Sequence, residues 1–309
     1  MAEPILPGPL AVRVRAPAKI NLTLRVGPAR PDGFHPLATV YQAVSLYEEV
    51  IAMPAEPGVI DIRVSGEGAD QVPADDRNLA HRAAALLARR TGMSLGVRLS
   101  INKSVPVAAG LAGGSADAAA TLLACSVLWE LDLDHEELLP LAAELGSDVP
   151  FALLGGTAVG SGRGEAVAPA LARGSYHWVL AFADGGLSTP AVYRRYDELG
   201  PTPPEPFEVS AGLMNALRSG DARRLGPELI NDLQAPALDL MPSLRKLVAL
   251  AEEYQALGVV VSGSGPTVAF LVESEADAVD LTVALSGSGL CRSARYVTGP
   301  VQGARVLGV

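Results

Sequence analysis

The sequence contains three lysines, Lys19, Lys103 and Lys246, while arginine supplies every other basic residue. A coding bias toward arginine would explain the scarcity. It would not explain why Lys19 and Lys103 both fall inside the two most motif-like stretches of the chain, where a compact ammonium rather than a planar guanidinium would be required. After Lys103 runs Ser104-Val105-Pro106-Val107-Ala108-Ala109-Gly110-Leu111-Ala112-Gly113-Gly114-Ser115-Ala116-Asp117. A glycine-rich turn entering a helix offers backbone N–H groups and the positive end of the helix dipole to an anion, so this stretch outlines a phosphate cradle. It lacks both the Gly-Lys-Ser/Thr of a Walker loop and the G-x-G-x-x-G of a dinucleotide site, and a turn that merely packs closely is the plainer alternative.

Two further stretches could do chemistry. Gly263-Ser264-Gly265-Pro266 lies between two apolar segments, where a backbone without Cβ atoms could approach a ligand; taken alone, a tight hairpin is the simpler explanation. Asp148 is a carboxylate in apolar surroundings, which is conspicuous. Its ordinary role would be to cap a turn. A functional role would need a cationic partner that keeps it ionised.

The elements that must position these residues follow from periodicity. Alternation over residues 12–26, 59–64 and 97–101 predicts strands, and residues 78–90 predict a helix. An almost wholly apolar helix runs from the glycine-rich turn to about Trp129 and should be buried on all sides. Asp134 with Glu137 forms a capping box for the next helix, which Gly146 ends. Short strands with glycine turns are predicted over 151–167, and Arg173-Gly174-Ser175 marks a domain junction before a strand at 177–183. Beyond it, an amphipathic helix carries Leu244, Leu247, Val248, Ala251 and Tyr254 on one face, and a strand-loop-strand spans 259–272. The proline-rich residues 201–206 read as a surface loop.

The 309 residues suit two domains, and 49% hydrophobic with 19% charged residues is the composition of a chain that folds throughout. Mean hydropathy is +0.27, yet no apolar run approaches the roughly 18 residues of a spanning helix. The amino terminus has no signal or transit character, so a cytoplasmic protein without a membrane partner is expected. A formal net charge of −10 argues against nucleic acid. Cys125 and Cys291 lie far apart and predict neither a disulfide nor a metal cluster.

Together and in this order, these stretches resemble the three signature motifs of the GHMP kinases, the galactokinase, homoserine, mevalonate and phosphomevalonate kinases. The first is Pro17-Ala18-Lys19-Ile20-Asn21-Leu22, the second residues 106–119, and the third Val261-Ser262-Gly263-Ser264-Gly265-Pro266-Thr267. Other stretches look like hallmarks of the diphosphocytidyl-methylerythritol kinases within that family. They are Arg30-Pro31-Asp32-Gly33-Phe34-His35-Pro36-Leu37, Gly146-Ser147-Asp148-Val149-Pro150-Phe151, Gly155-Gly156-Thr157-Ala158, Gly162-Arg163-Gly164-Glu165 and Asn231-Asp232-Leu233.

The resemblance implies the α+β GHMP kinase fold: an ATP-binding domain over residues 1–172, a second α+β domain over 173–309, and the active site in the cleft between them. It implies ATP and Mg²⁺ as cofactors, a cytidine diphosphate methylerythritol as substrate, and a monomer or homodimer. Asp148 would be the general base, with Lys19 keeping it ionised and drawing charge at the transferring phosphoryl. Pro106, Val107, Ala108, Ala109, Gly110, Leu111, Ala112, Gly113, Gly114 and Ser115 would wrap the ATP phosphates, with Ser115 also a contact for Mg²⁺. Asn21, Phe34, His35, Thr189 and Tyr193 would serve the substrate, His35 at the cytosine edge and the two rings on its faces, and Gly263, Ser264 and Gly265 form the third motif.

This chain departs from the family pattern in places. Phe34 stands where tyrosine is usual, Ala108, Ala109 and Ala112 where glycines are frequent, Ala116 where serine is frequent, and Ser147 where alanine is usual. The competing readings are another kinase of the family, acting on homoserine, mevalonate or a sugar, and a catalytically silent sensor with the same fold. Lys19 and Asp148, both present, speak against the sensor.

Overall fold

The computed structural model describes residues 11–201 and 207–307. Its first part runs β1 (Val12–Val26), β2 (Leu37–Pro54), β3 (Ile60–Gly66), α1 (Leu79–Thr91), β4 (Val97–Lys103), α2 (Gly113–Leu128), α3 (His135–Leu145), α4 (Val149–Leu154), β5 (Thr157–Ser161) and β6 (Ala166–Pro169). Then come β7 (Tyr176–Phe182), α5 (Thr189–Leu199), α6 (Ala211–Ser219), α7 (Ala222–Leu225), β8 (Ile230–Asn231), α8 (Gln234–Leu240) and α9 (Ser243–Glu253). The chain closes with β9 (Gly258–Val261), β10 (Thr267–Val272), α10 (Glu275–Gly287), β11 (Ser293–Gly299) and β12 (Arg305–Val306).

These strands form two sheets. The larger has eight strands in the order β12-β1-β2-β4-β3, with β5 also on β2, β6 on β5 and β8 on β1; the smaller is β11-β7-β10-β9, antiparallel throughout. β8 and β12 come from beyond residue 173, so the later half of the chain twice crosses back to strand β1.

Three cores hold the layers. Val12, Val14 and Ala16 of β1 pack with α1, α2 and α3, whereas Ala18, Ile20 and Leu22 join a second core with Tyr176, Trp178, Leu180 and Phe182 of β7. A register shift between Pro17 and Ala18 separates the two groups. Strand alternation sends Val179 and Ala181 to the opposite face of the smaller sheet, against Leu244 and Leu247 of α9 and Leu281 and Leu285 of α10. Helix α2 is buried on every side, with Ala118, Thr121, Leu122 and Cys125 all fully enclosed. The predicted capping box at Asp134 and Glu137 is formed, and Gly146 ends α3.

Some expectations differ from the structure. Residues 151–154 belong to helix α4 rather than to a strand, because Pro150 near its start fixes a helical φ and removes an N–H that would have no partner there. Tyr254 follows α9 and is exposed, so it is not part of that helix's buried face. Of the proline-rich loop, residues 202–206 lie outside the described residues. Strand β2, which pairs with β1 over nearly its whole length, has no counterpart in the periodicity reading. Thr39 through Val44 are buried without interruption, so the polar alternation of a half-buried strand is missing.

The Asn231-Asp232-Leu233 stretch is a clamp between the two halves. Asn231 Nδ2 donates to the carbonyls of Val261 and Gly263, both at 2.7 Å, while Asp232 accepts from Val26 N at 2.9 Å and from Arg25 Nη1 at 3.0 Å. Asn231 is buried, so removing its amide strands carbonyls that water cannot reach. Asn231→Ala is expected to cost about 2–4 kcal/mol of unfolding free energy in denaturant titration. A loss below about 1 kcal/mol would show that the clamp is not structural.

Candidate active site

A cleft of about 840 Å³ is lined from both halves of the chain, by the first motif, residues 105–114, Asp148, α5 and the third motif. Lys19 and Asn21 point into it from β1, two residues apart and therefore on one face of the strand. Lys19 is 6% exposed, and its Nζ donates to Asn21 Oδ1 at 2.7 Å and to the Gly110 carbonyl at 3.0 Å. Asn21 in turn donates to Thr39 Oγ1 at 2.8 Å, and Thr39 donates to the Thr23 carbonyl at 2.7 Å. Each member is thereby oriented by the next. Burial lowers the Lys19 pKa, and the negative charge of Asp148 opposes that shift.

The three motifs meet at Gly110. Ser262 Oγ donates to its carbonyl at 3.0 Å, and a Cβ at Gly110 would come within 2.2 Å of the Ser262 carbonyl, so no other residue fits there. Gly263 is tight as well, since a Cβ on it would lie 3.1 Å from Lys19 Nζ, and its φ of 56° favours glycine. Along the cradle, Ala108 (φ 53°), Gly110 (φ 77°) and Ala112 (φ 60°) are all left-handed. The two alanines therefore hold glycine-like geometry, which costs an L-residue roughly 1–2 kcal/mol each. Ala112 precedes α2 with no side-chain cap, leaving the first N–H groups of that helix without a capping oxygen.

Beneath the cradle lies a buried charge triad. Lys103 Nζ stands 2.5 Å from Glu48 Oε1 and 2.5 Å from Asp117 Oδ2, and Glu48 Oε2 accepts from Ser104 N at 2.9 Å. Asp117 Oδ1 has no hydrogen-bond partner. Burial and then the Asp117 charge push the Glu48 pKa up to about 7, against the pull of Lys103. Burial raises Asp117 as well; for Lys103 burial acts downward, but the two carboxylates outweigh it and its pKa rises.

Asp148 sits at the N-cap position of α4 but makes no capping hydrogen bond with its side chain. The turn-capping role is therefore not the one it fills. It lines the cleft instead, and its charge acts on three neighbours: it opposes the lowering of Lys19 and, after burial, adds to the raised pKa of Tyr41 and of Tyr193. The ammonium of Lys19 bonds to neutral oxygens, so the Asp148 charge acts on it through space.

At the other end of the cleft, residues 27–36 form a tight loop, closed by Gly27 N to Pro36 O at 2.8 Å and Arg30 N to Phe34 O at 2.8 Å. His35 is buried, with Nδ1 2.7 Å from the Gly27 carbonyl and its ring 5.3 Å from that of Tyr193. Phe34 is half exposed, which excludes a core role, and the Arg163 guanidinium lies 4.8 Å from its ring centre. Thr189 opens α5 and its hydroxyl is 2.8 Å from Ser264 Oγ.

Most residues singled out in the sequence line this one cleft: Lys19, Asn21, Phe34, His35, Pro106, Val107, Ala108, Ala109, Gly110, Ala112, Gly113, Gly114, Asp148, Thr189, Tyr193, Gly263 and Ser264. Leu111, Ser115 and Gly265 are not among the lining residues. Leu111 is a core side chain whose carbonyl accepts from Lys19 N at 3.1 Å, and Gly265 supports the turn through its N–H to the Ser262 carbonyl at 2.8 Å. Ser115 is half-buried in the first turn of α2.

Comparison with known proteins places the chain in a family. The model of the GHMP kinases N terminal domain matches residues 78–156, and that of the GHMP kinases C terminal matches residues 213–289. A 4-diphosphocytidyl-2-C-methyl-D-erythritol kinase of Leifsonia xyli is 55% identical over 96% of this chain and 99% of its own. The chain belongs to the GHMP kinase family. The enzyme of the same name from Thermobifida fusca is 53% identical over 97% of this chain and 99% of its own. A crystal structure of a 4-(cytidine 5'-diphospho)-2C-methyl-D-erythritol kinase superposes with a TM-score of 0.74 at 34% identity, covering 94% of this chain and 99% of that one. A homoserine kinase from Cytophaga hutchinsonii, at 19% identity and a TM-score of 0.73, shares the fold. Among the described residues, no helix of this GHMP kinase is long and apolar enough to cross a membrane.

Among the residues that sequence reasoning missed, Thr39, Tyr41 and Glu48 lie on β2, while Arg77, Arg194 and Asp197 line the cleft from elsewhere. The only available signal for the three on β2 was a run of polar side chains inside an apolar segment. Glu48 also generates a prediction. With a folded pKa of about 7 against an ordinary value near 4.5, it binds more proton in the folded than in the unfolded state between those limits. Its contribution to stability therefore falls as pH rises through that window and is flat above it. Thermal unfolding of the wild type and Glu48→Gln at pH 5 and pH 7.5 should show a shallower fall for the variant. Parallel pH profiles would mean that Glu48 does not titrate in that window.

Proposed function

We propose that this chain transfers the γ-phosphoryl group of ATP to the 2-hydroxyl of 4-diphosphocytidyl-2-C-methyl-D-erythritol, a step of non-mevalonate isoprenoid precursor synthesis. The observation that carries the reading is the position of Asp148. It is a carboxylate without a capping hydrogen bond that lines the same cleft as the glycine-rich cradle and His35, and its charge acts on Lys19.

The chemistry follows from what each group can do. Asp148 accepts the proton of the 2-hydroxyl as that oxygen bonds to the γ-phosphorus, while the bond from phosphorus to the β–γ bridging oxygen breaks and ADP leaves. Lys19, fixed by Asn21 and the Gly110 carbonyl, directs its charge at the phosphoryl oxygens, where a preoriented cation is worth most. The N–H groups of residues 110–115 and the start of α2 hold the remaining phosphates. Among the described residues no cluster of three or more His, Cys, Asp or Glu side chains could cage a metal. Mg²⁺ keeps its waters and binds through substrate phosphates with one or two protein oxygens, and the Asp117 Oδ1 atom, which has no hydrogen-bond partner and belongs to a cleft-lining residue, would hold it here. When bound, it would neutralise charge on the β- and γ-phosphates.

Specificity is assigned to the other end. Gly27 O can only accept, so Nδ1 of His35 donates to it and Nε2 is the ring atom left for the base edge. Nε2 accepting from the amino group of cytosine would oppose the carbonyl of uracil. The faces of Phe34 and Tyr193 stack on either base alike. We expect kcat/KM for the cytidine substrate to exceed that of its uridine analogue by on the order of 10⁴. His35→Ala should raise KM for the substrate and leave KM for ATP unchanged. Equal phosphorylation of methylerythritol lacking the cytidine diphosphate would overturn the assignment.

A further inference from the structure

The carboxylate of Asp148 lacks the two partners that would most simply aim it. It does not cap α4, and Lys19 Nζ bonds to Asn21 and to the Gly110 carbonyl instead. A general base must hold one oxygen at the hydroxyl it deprotonates, so a carboxylate free to turn about its side-chain torsions would lose much of its effect. Beside it stands Tyr41 of β2, a buried ring that lines the same cleft.

Three contacts fix that ring. It packs against Phe151, which lies in the first turn of α4 three residues after Asp148, with ring centroids 4.9 Å apart. Lys19 Nζ stands 5.8 Å from the ring centroid, within the range of a cation–π contact. The edge and tip of the ring are seated against two glycines of the β5 region. A Cβ on Gly160 would come within 2.6 Å of Tyr41 Cε2, and one on Gly164 within 2.3 Å of the phenol oxygen, with Cζ behind it at 3.6 Å. The absence of a side chain at Gly164 thus makes room for the hydroxyl in particular. Burial first, then the Asp148 charge and a hydrogen bond to that carboxylate, hold the Tyr41 pKa well above the ordinary phenol value. The hydroxyl therefore keeps its proton and donates.

We propose that Tyr41 is a positioning residue for phosphoryl transfer: its hydroxyl holds one oxygen of Asp148 and leaves the other aimed at the substrate hydroxyl. This rests on the general-base reading of Asp148 given above and deepens it. Tyr41 transfers no proton. Its ring lies near the ammonium and its hydroxyl near the carboxylate, so one side chain spans both members of the catalytic pair. Phenylalanine at this place would keep the packing on Phe151 and the contact with Lys19 and would lose only the hydrogen bond.

The test measures kcat, KM for both substrates and thermal unfolding in Tyr41→Phe, Asp148→Asn and the double variant. Tyr41→Phe retains the packed ring and should fold. Its kcat should fall roughly 10- to 100-fold, the range for one hydrogen bond to a charged group, with both KM values within about 2-fold of wild type. Added to Asp148→Asn, the same change should cost less than about 3-fold more, because the hydroxyl acts through that carboxylate. A kcat loss below about 3-fold in Tyr41→Phe would overturn the proposal while leaving Asp148 as the base. An effect confined to KM, or one of equal size with and without Asp148, would overturn it too, since a merely structural tyrosine predicts those outcomes. Near-normal turnover in folded Asp148→Asn would overturn the general-base reading itself, and this inference with it.

Discussion

A lysine ammonium buried to 6% exposure must find oxygen partners inside the protein, and much of this structure is organised around providing them. Lys19 takes one from Asn21 on its own strand and one from Gly110 in the phosphate cradle. Gly110 in turn accepts from Ser262 of the third motif, and Asn231 ties that motif to the start of α8 through the Val261 and Gly263 carbonyls. Four sequence-distant stretches are thus fixed relative to one nitrogen. Glycine at 110 and 263 follows from the same requirement, because a Cβ at either place would intrude on the contact.

The same constraint links stability to chemistry. Burial pulls the pKa of Lys19 down and the Asp148 charge counters it, so the carboxylate helps to keep the buried ammonium charged. The second lysine is treated differently. Lys103 is closed in by Glu48 and Asp117, and its ammonium secures the floor of the cradle rather than facing a ligand alone.

Much of this was legible in the sequence. The glycine cradle, the third motif and Lys19 stood out because each needs a residue type that few positions tolerate, and the capping box at Asp134 predicts the start of α3 from two side chains. Asp148 was visible as a carboxylate in apolar company, although only the structure excludes a capping role for it. The β2 contributions were not legible. Thr39 and Tyr41 lie where β2 is buried without interruption, and Glu48 occupies a buried position where an apolar side chain would be expected; all three act through neighbours far away in sequence. The alanines at 108 and 112 stand where glycines are frequent in the family, and the structure shows them holding the left-handed geometry themselves.

The central claim is that Lys19 and Asp148 act as one unit on a single phosphoryl group. Its most direct test is a double-mutant cycle on kcat with Lys19→Met, Asp148→Asn and the pair, in an assay of substrate-dependent ADP release. Each single change should slow turnover by roughly 10² to 10⁴, and the double variant should be little slower than the worse single one. Effects that multiply, or near-normal turnover in folded Asp148→Asn, would contradict the account.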